Sequence, residues 1–351
     1  MSIFEHPEFD NHEKVLFCND PAVGLRAIIA IHSTALGPAA GGCRMHAYAS
    51  EDAALTDVLR LSKGMSYKNA VADLPLGGGK CVIIADPARA DKADLLRAFS
   101  RHVQDLGGLY WTAIDVGVGP KDADILAENC DYIFCRAEQY EEGFNPSSFT
   151  ALGGFTGIRA AAKHVWDRNE LTGLRVAIQG LGGTGADLAR QLHAAGAELI
   201  VADVRDEVVQ DVVAKYGATA VSPDRIHAQD VDIFAPCAMG AVVKATTLPE
   251  IKAKVICGLA NNQLAEPKFG RALQERGITY VPDYVVNAGG VMGGSTVIFS
   301  TPSREADVAR ITGLYHTILD ILKRADDAHL PSSEVADDIA LAKIAAARPK
   351  A

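Results

Sequence analysis

The sequence predicts an α/β protein built as two domains. A chain of 351 residues is longer than a single small hydrophobic core usually stabilises, which favours two domains. Short apolar runs rich in β-branched residues alternate with helical patterns, as in sheets covered by helices. A glycine-rich segment, residues 174–185, joins one such strand to a helix. We expect a first domain over 1–138, a second over 149–324, and a last helix, about 325–351, that returns to the first domain.

The composition is that of an ordinary globular protein. Hydrophobic residues make up 48% of the chain and charged residues 22%, and the net charge of −10 argues against a nucleic-acid or membrane-surface partner. No apolar run could span a bilayer, and residues 1–10 lack a secretory-signal pattern. The seven cysteines are scattered and form no ligand cluster with the ten histidines. We therefore expect a cytoplasmic protein that binds no metal and acts on a small molecule.

The first elements are a strand, a glycine-rich segment and a helix. Residues 24–32 have the pattern of a buried strand. Residues 36–45 are rich in glycine and small side chains. Such a backbone suits either close approach to a ligand or a packed loop. The helix begins at Ser50 as N-cap, continues past Met65 and ends near Lys68.

Within residues 74–84, three glycines lead into Lys80 at the start of an apolar strand. Burying an unpaired ammonium group is costly, so this lysine is expected to have a partner and to suit acid–base chemistry. The G-x-x-x-x-G-K-[ST] spacing of a phosphate-binding loop is absent, because Cys81 follows the lysine. The alternative is a surface lysine at a strand edge, and the segment alone favours neither.

Asp115 follows the next predicted strand, residues 110–114. The carboxyl ends of parallel strands face the ligand crevice, which makes Asp115 a candidate for chemistry. The alternative is an N-cap for the helix that Pro120 opens. The polar segment 138–148 contains glycine and proline and is predicted to be the hinge between the domains.

The glycine-rich segment has the G-x-G-x-x-G spacing of a dinucleotide-binding turn. The first glycine permits a tight turn, and the second lets a pyrophosphate approach the backbone closely. The third lets the helix pack closely on the strand. Asp203 ends the following strand, where a carboxylate can meet the ribose of NAD, although Arg205 could take the 2′-phosphate of NADP. We favour a Rossmann fold over an ordinary strand–turn–helix. The predicted NAD contacts are Gly180, Leu181, Gly182, Gly183, Thr184, Gly185 and Asp203.

Three later strands end in small residues, proline or asparagine, at 231–238, 255–262 and 280–290. Asparagine in a turn is usually structural, but at a crevice it also offers an amide to a ligand. The further positions expected to contact the cofactor are Cys237, Ala238, Ala260, Asn261 and Asn287. A helix over about 304–324 and a polar amphipathic helix complete the chain.

These motifs resemble those of the NAD-dependent dehydrogenases for glutamate, leucine, valine and phenylalanine. The similar segments lie within residues 15–292 and are 36–44, 63–68, 74–80, 115–117, 180–185, 260–264 and 282–290. The resemblance implies an N-terminal α/β domain for substrate and oligomerisation, a Rossmann NAD-binding domain, a cleft between them, and a homo-oligomer. It also implies oxidative deamination, in which an amino acid gives a hydride to NAD and the imine is hydrolysed to a 2-oxo acid and ammonia.

The same resemblance implies roles for individual side chains. Lys80 would activate water and move protons, and Asp115 would take up protons from the amine. Lys68 would bind the substrate carboxylate with help from Asn262. The nicotinamide carboxamide would be anchored by two further residues, Thr150 and Asn287.

The expected walls of the substrate pocket are small or apolar: Ala40, Gly41, Gly42, Met65, Leu76, Ala113, Phe134, Val291 and Gly294. The small Ala40 and Gly294 leave volume, so phenylalanine or a similar aromatic amino acid is expected ahead of leucine and valine. The alternatives are a leucine or valine dehydrogenase, a relative that couples 2-oxo acids without releasing ammonia, and a non-enzymatic NAD-binding sensor.

Overall fold

A computed structural model describes residues 3–136, 138, 145–238 and 240–348. The chain divides into two compact units, with bounds Met1–Glu142, Gly294–Pro302 and Ile339–Ala351 for the first, and Gly143–Gly293 and Ser303–Asp338 for the second. Unlike the predicted boundaries, this division assigns 294–302 to the first unit and 325–338 to the second. Most of the predicted hinge, residues 139–144, lies outside the described residues, as do 349–351 of the last predicted helix.

The first unit is built on one five-stranded sheet. Its strands are β1 Lys14–Asp20, β2 Leu25–Ser33, β3 Ala39–His46, β4 Gly77–Ile84 and β5 Tyr110–Ala113, and the helices among them are α1 Glu51–Val71, α2 Lys92–Gln104 and α3 Pro120–Ala127. The strand order is β1-β2-β4-β3-β5. β3 runs parallel to β4 and β5, whereas β2 is antiparallel to β1 and β4. Strand β4, which carries Lys80, therefore has a neighbour on each side.

Residues 36–45, for which the sequence left close approach to a ligand and a packed loop as alternatives, are mostly strand β3, so the loop alternative was wrong. Its glycines permit close packing between backbones. A Cβ on Gly41 would lie 1.9 Å from the carbonyl oxygen of Gly79. On the neighbouring strand, a Cβ on Gly78 would lie 2.1 Å from the backbone nitrogen of Ser66 in α1. Side chains are absent here because β3, β4 and α1 lie too close together to admit them.

Two buried histidines pack the start of the first unit against α1. His12 Nε2 lies 3.1 Å from the carbonyl oxygen of Leu59 and 3.0 Å from Ser62 Oγ. His32 Nδ1 lies 2.8 Å from Ser66 Oγ, and the two imidazole rings meet edge to face with centroids 4.9 Å apart. Burial lowers the pKa of both histidines, that of His32 to about 4.

We expect the free energy of unfolding to fall as the pH is lowered from about 6.5 to about 4. The unfolded chain binds a proton on His32 near pH 6.5, whereas the folded chain does so only near pH 4, so protons favour the unfolded state across this window. The charged neighbours are Asp10, 3.7 Å from His32 Nε2, and Lys63, which pairs with Asp10. Each unit of pKa difference corresponds to about 1.4 kcal/mol.

Denaturant unfolding of wild type and His32→Gln at several pH values measures this effect. The variant should lose less stability across the window, because glutamine does not titrate. His316→Gln, at an exposed position of the other unit, should keep the wild-type slope. The same slope in wild type and His32→Gln would contradict the prediction.

The second unit contains a parallel six-stranded sheet. Its strands are β6 Arg175–Gln179, β7 Glu198–Ala202, β8 Thr219–Ala220, β9 Ile233–Pro236, β10 Val255–Ile256 and β11 Thr279–Tyr280. The order is β11-β10-β9-β6-β7-β8, and every pairing is parallel. The chain moves outward from β6 to β8 and then returns to β9 on the other side of β6. The switch in direction beside β6 is where open α/β sheets bind ligands.

The helices after residue 145 complete the chain. They are α4 Pro146–Trp166, α5 Gly183–Ala194, α6 Asp206–Tyr216, α7 Lys268–Glu275, α8 Asp283–Val286, α9 Gly289–Gly294, α10 Thr296–Phe299, α11 Arg304–Thr312, α12 Leu314–Ala328 and α13 Ser332–Ala347. No helix in the described part of the chain is both long and apolar enough to cross a membrane.

Two predicted elements of this half differ from the structure. The single helix expected over 304–324 is α11 followed by α12, with the break at Gly313, and glycine is a poor helix former. The strand expected to run into 280–290 ends at Tyr280, after which α8 and α9 form. Val281 still donates to the carbonyl oxygen of Ile256, but Pro282, the next residue, has no amide hydrogen with which to continue the pairing.

Candidate active site

Lys80 and Asp115 form an ion pair within the first unit. Lys80 lies in β4 between β2 and β3 and is 6% exposed, which excludes the alternative of a surface lysine at a strand edge. Its Nζ lies 2.8 Å from Oδ2 of Asp115, which is supplied by the turn after β5. Asp115 is not the N-cap of α3, since Gly119 holds that position. A buried lysine is thus paired with a carboxylate at the end of a parallel strand.

Arg44 of β3 is a second cation on the same carboxylate. Its Nε lies 3.0 Å from Asp115 Oδ2, and its Nη1 lies 2.9 Å from Asp57 Oδ2 in α1. The hydroxyl of Tyr48 donates to the same Asp57 oxygen at 2.6 Å. The sequence alone did not indicate this chain of contacts, because no motif spacing links these residues before β3 and α1 pack together.

The two cations keep Asp115 ionised. Burial by itself would raise the pKa of this carboxyl group, but the charges of Lys80 and Arg44 outweigh burial and lower the pKa to about 2. Hydrogen bonds from Lys80 and from the backbone amide of Val116 add to this effect. Asp115 is therefore an anion at neutral pH, and it is a weak base while both cations touch it.

The other predicted substrate residues of the first unit lie on α1, β3 and β5 and in the segments before β4 and after α3. Lys68 and Met65 are half-buried on α1, next to β3: a Cβ on Gly41 would lie 3.2 Å from Met65 Cγ. Gly41 and Gly42 are buried in β3. Four further residues predicted to line the substrate pocket are buried, namely Ala40, Leu76, Ala113 and Phe134. The volume beside Ala40 is therefore not open to solvent in this structure.

The glycine-rich turn lies at the carboxyl end of β6 in the second unit. Gly180 has a φ of +93°, and a Cβ there would lie 2.8 Å from the backbone nitrogen of Ala238. A Cβ on Gly185 would lie 2.0 Å from the carbonyl oxygen of Gly180, so α5 packs directly on the turn. By contrast, a Cβ on Gly182 would meet nothing within 4 Å. No side chain caps the N-terminus of α5, which Gly183 and Thr184 begin, and this open, uncapped helix end fits a pyrophosphate.

Asp203 directly follows β7 and faces the same turn. Its Oδ2 accepts a hydrogen bond of 2.6 Å from the amide of Leu181, and its Oδ1 lies 3.1 Å from Nε of Arg205. Burial acts to raise the pKa of Asp203, but the hydrogen bonds from Arg205 and Leu181 lower it. The ionised carboxylate at the end of the second strand fits the ribose hydroxyls of NAD.

The side-chain oxygen of Asn287, in the second unit, is a hydrogen-bond acceptor that is not used by the described residues. Its side-chain nitrogen donates to Oδ1 of Asn261 at 2.7 Å, whereas its own Oδ1 is buried and has no hydrogen-bond partner among the described residues. A buried acceptor without a partner is rare, and a carboxamide such as that of nicotinamide could donate to it. The Oγ1 of Thr150 donates to the carbonyl oxygen of Pro146 within α4.

The remaining predicted residues lie at the ends of strands or in short helices. Cys237 and Ala238 follow β9 and are half-buried, and Ala260 is buried after β10. Asn262 is exposed and has a φ of +56°, as asparagine tolerates in turns. Val291 and Gly294 belong to α9, half-buried and buried respectively. Within the described residues, no group of three or more histidine, cysteine, aspartate or glutamate side chains could hold a metal ion.

Comparison with known proteins defines the class. Residues 12–132 match the family model of the Glu/Leu/Phe/Val dehydrogenase dimerisation domain, and residues 201–300 match the Glutamate/Leucine/Phenylalanine/Valine dehydrogenase model. The chain is 44% identical to leucine dehydrogenase of Bacillus subtilis, over 98% of the chain and 94% of the relative. It is 43% identical to valine dehydrogenase of Streptomyces coelicolor, over 98% and 95%. The crystal structure of L-tryptophan dehydrogenase from Nostoc punctiforme superposes with a TM-score of 0.84 at 40% identity, covering 96% of each chain.

The chain therefore belongs to the Glu/Leu/Phe/Val dehydrogenase family. It is an NAD-dependent amino-acid dehydrogenase, an oxidoreductase that acts on small molecules. The resemblance drawn from the sequence motifs is confirmed.

Proposed function

We propose that the protein catalyses the reversible, NAD-dependent oxidative deamination of branched-chain aliphatic L-amino acids, leucine and valine, to the 2-oxo acid and ammonia. The relatives at 43–44% identity over 98% of the chain are named leucine and valine dehydrogenases, which favours these substrates over the aromatic amino acid expected from the sequence. The argument for an aromatic substrate used the volume beside Ala40, but that side chain is fully buried. The Lys80–Asp115 pair is the observation that carries the chemistry.

Lys80 is the acid–base residue of this proposal. Its ammonium group sits on a carboxylate in a buried strand, where little water competes for its protons. After Lys80 has released a proton to solvent, its amine can take one from the water that adds to the imine carbon, and it can return that proton to the nitrogen. As the C–N bond breaks and ammonia leaves, the remaining hydroxyl gives its proton to Lys80 and becomes the carbonyl of the 2-oxo acid. Asp115 holds the Lys80 side chain in place through the ion pair, and Lys68 binds the substrate carboxylate.

NAD, when bound, supplies the acceptor for the hydride that leaves the substrate Cα. The residues that would hold it are Gly182 and the amides at the start of α5 for the pyrophosphate, Asp203 for the ribose, and Asn287 with Thr150 for the carboxamide. The open space at Gly182 and the unused acceptor on Asn287 support this assignment. We also infer a homo-oligomer, because residues 12–132 match a dimerisation-domain model.

Initial rates of NADH formation with each of the twenty L-amino acids test the substrate. We expect kcat/KM for leucine and valine to exceed that for phenylalanine, tryptophan and glutamate by at least about tenfold, which a few methylene groups of pocket shape can supply. The highest kcat/KM for phenylalanine or tryptophan would overturn the branched-chain assignment and support an aromatic substrate. The highest kcat/KM for glutamate would overturn both the branched-chain and the aromatic assignments.

A further inference from the structure

The chain of contacts from Asp57 through Arg44 to Asp115 extends the catalytic pair. We propose that Arg44 is a positioning residue, held by Asp57 and Tyr48, which fixes the Asp115 carboxylate in the place where it aligns Lys80. The proposal rests on the roles proposed above for Lys80 and Asp115.

The geometry places two cations on one oxygen. Arg44 Nε and Lys80 Nζ lie 3.0 Å and 2.8 Å from the same Oδ2 of Asp115. Arg44 is the register partner of Val82, two residues beyond Lys80 in β4. Paired residues of neighbouring strands share a face and alternate residues return to it, so Arg44 and Lys80 extend from the same face of the sheet. Asp115 is clamped between side chains of two adjacent strands.

Asp57 makes the clamp rigid. Arg44 Nη1 lies 2.9 Å from Asp57 Oδ2, so one guanidinium group bridges a carboxylate of α1 and a carboxylate after β5. The side chains of Arg44, Asp57 and Asp115 are all less than one-third exposed, which makes these ion pairs stronger than surface pairs. A planar guanidinium can hold two carboxylates in a fixed arrangement, whereas the single ammonium of lysine cannot.

Removing Arg44 would leave Asp57 and Asp115 with no cation between them. Lys80 alone would then neutralise Asp115, and the carboxylate would be free to rotate away from the position that aligns the amine. The other ionisable groups around the clamp are the phenol of Tyr48 on Asp57 and the buried thiol of Cys43 in β3. Arg44 is also a cause of the low pKa of Asp115, so its loss would raise that pKa.

The first test combines Arg44→Ala with chemical rescue. We expect kcat to fall roughly 10²-fold while KM for the amino acid and for NAD changes far less, because misplacing a catalytic group by about 1 Å has an effect of that order. Low concentrations of guanidinium chloride should restore part of kcat by filling the vacated site, and methylammonium chloride should not. Arg26→Ala, at an exposed arginine of β2 paired with Glu51, should keep wild-type kcat and show no response to guanidinium.

The second test keeps Arg44 and loosens its support. Asp57→Asn preserves size, removes the charge that holds the guanidinium, and should lower kcat less than Arg44→Ala does. Combining the two substitutions should cause no loss beyond that of Arg44→Ala alone. If Arg44→Ala does not fold, the proposal is tested with Asp57→Asn and Arg44→Lys instead. A wild-type kcat in both of these variants would overturn the proposal.

All rates are measured with the amino acid that the wild type turns over fastest, so the outcome does not depend on which substrate that is. Lys80→Ala is assayed beside these variants. Wild-type kcat in Lys80→Ala would overturn the proposed catalytic role of Lys80 and the role of Arg44 with it. If Lys80→Ala is inactive but Arg44→Ala keeps wild-type kcat, only the proposed role of Arg44 is overturned. The same holds if Lys80→Ala is inactive and guanidinium does not restore the kcat of Arg44→Ala.

Discussion

Replacing Lys80 with alanine should lower kcat by about 10²–10⁴-fold, the usual contribution of a general acid–base group. The dissociation constant of NAD should stay unchanged, because Lys80 lies in the first unit and the predicted NAD contacts lie in the second. Steady-state rates measure the first effect, and calorimetric titration of the variant with NAD measures the second.

The matched control for this prediction is Lys92→Ala. Lys92 also pairs with an aspartate of the first unit, Asp122 at 2.6 Å, and its side chain is half-buried. The control removes a lysine–aspartate pair without touching Asp115, and it should keep wild-type kcat. Near-normal kcat in Lys80→Ala, or equal losses in both variants, would mean that Lys80 is structural.

Gly182→Ala should weaken NAD binding by at least about tenfold, which corresponds to about 1.4 kcal/mol, without lowering the Tm of the protein free of NAD. The added Cβ meets nothing within 4 Å, and the extended backbone of Gly182 suits alanine, so the fold tolerates the change. The methyl group would instead occupy space into which the pyrophosphate must come. Calorimetric titration with NAD and thermal unfolding measure the two effects.

Gly185→Ala is the contrasting variant. Its Cβ would lie 2.0 Å from the carbonyl oxygen of Gly180, so α5 must move away from the turn and the Tm should fall along with NAD affinity. Equal NAD affinity in Gly182→Ala and wild type would show that the pyrophosphate lies elsewhere. A marked fall of Tm in Gly182→Ala would show that the glycine is required by the fold.

The sequence predicted best where the determinants lie close together along the chain. Gly180, Gly185 and Asp203 fall within one strand–helix–strand unit, and their spacing alone indicated the turn that the structure contains. Lys80 was only partly indicated locally, because a lysine entering a buried strand needs a partner but the same segment also allowed a surface lysine at a strand edge. The partner itself, Asp115, was suggested by its position at the end of a strand and by the family resemblance.

Features that depend on packing between distant elements were missed or misjudged. Arg44 and Asp57 are in contact only because α1 lies across β3, and their spacing along the sequence does not indicate this contact. The small residues of 36–45 indicated open backbone, but their neighbours turned out to be the backbones of β4 and α1. Ala40 likewise suggested pocket volume, whereas its strand is paired on both sides and its side chain is buried.

The most direct test of the central claim follows the hydrogen and the nitrogen of one substrate together. With NAD and L-leucine deuterated at Cα, we predict that each leucine consumed yields one ammonia and one NADH that carries the deuterium. Mass spectrometry of the NADH and an independent ammonia assay provide the two counts, with Lys80→Ala as the inactive control. Labelled NADH without ammonia would indicate a coupling reaction, and ammonia with unlabelled NADH would exclude direct hydride transfer; either result would contradict oxidative deamination by this protein.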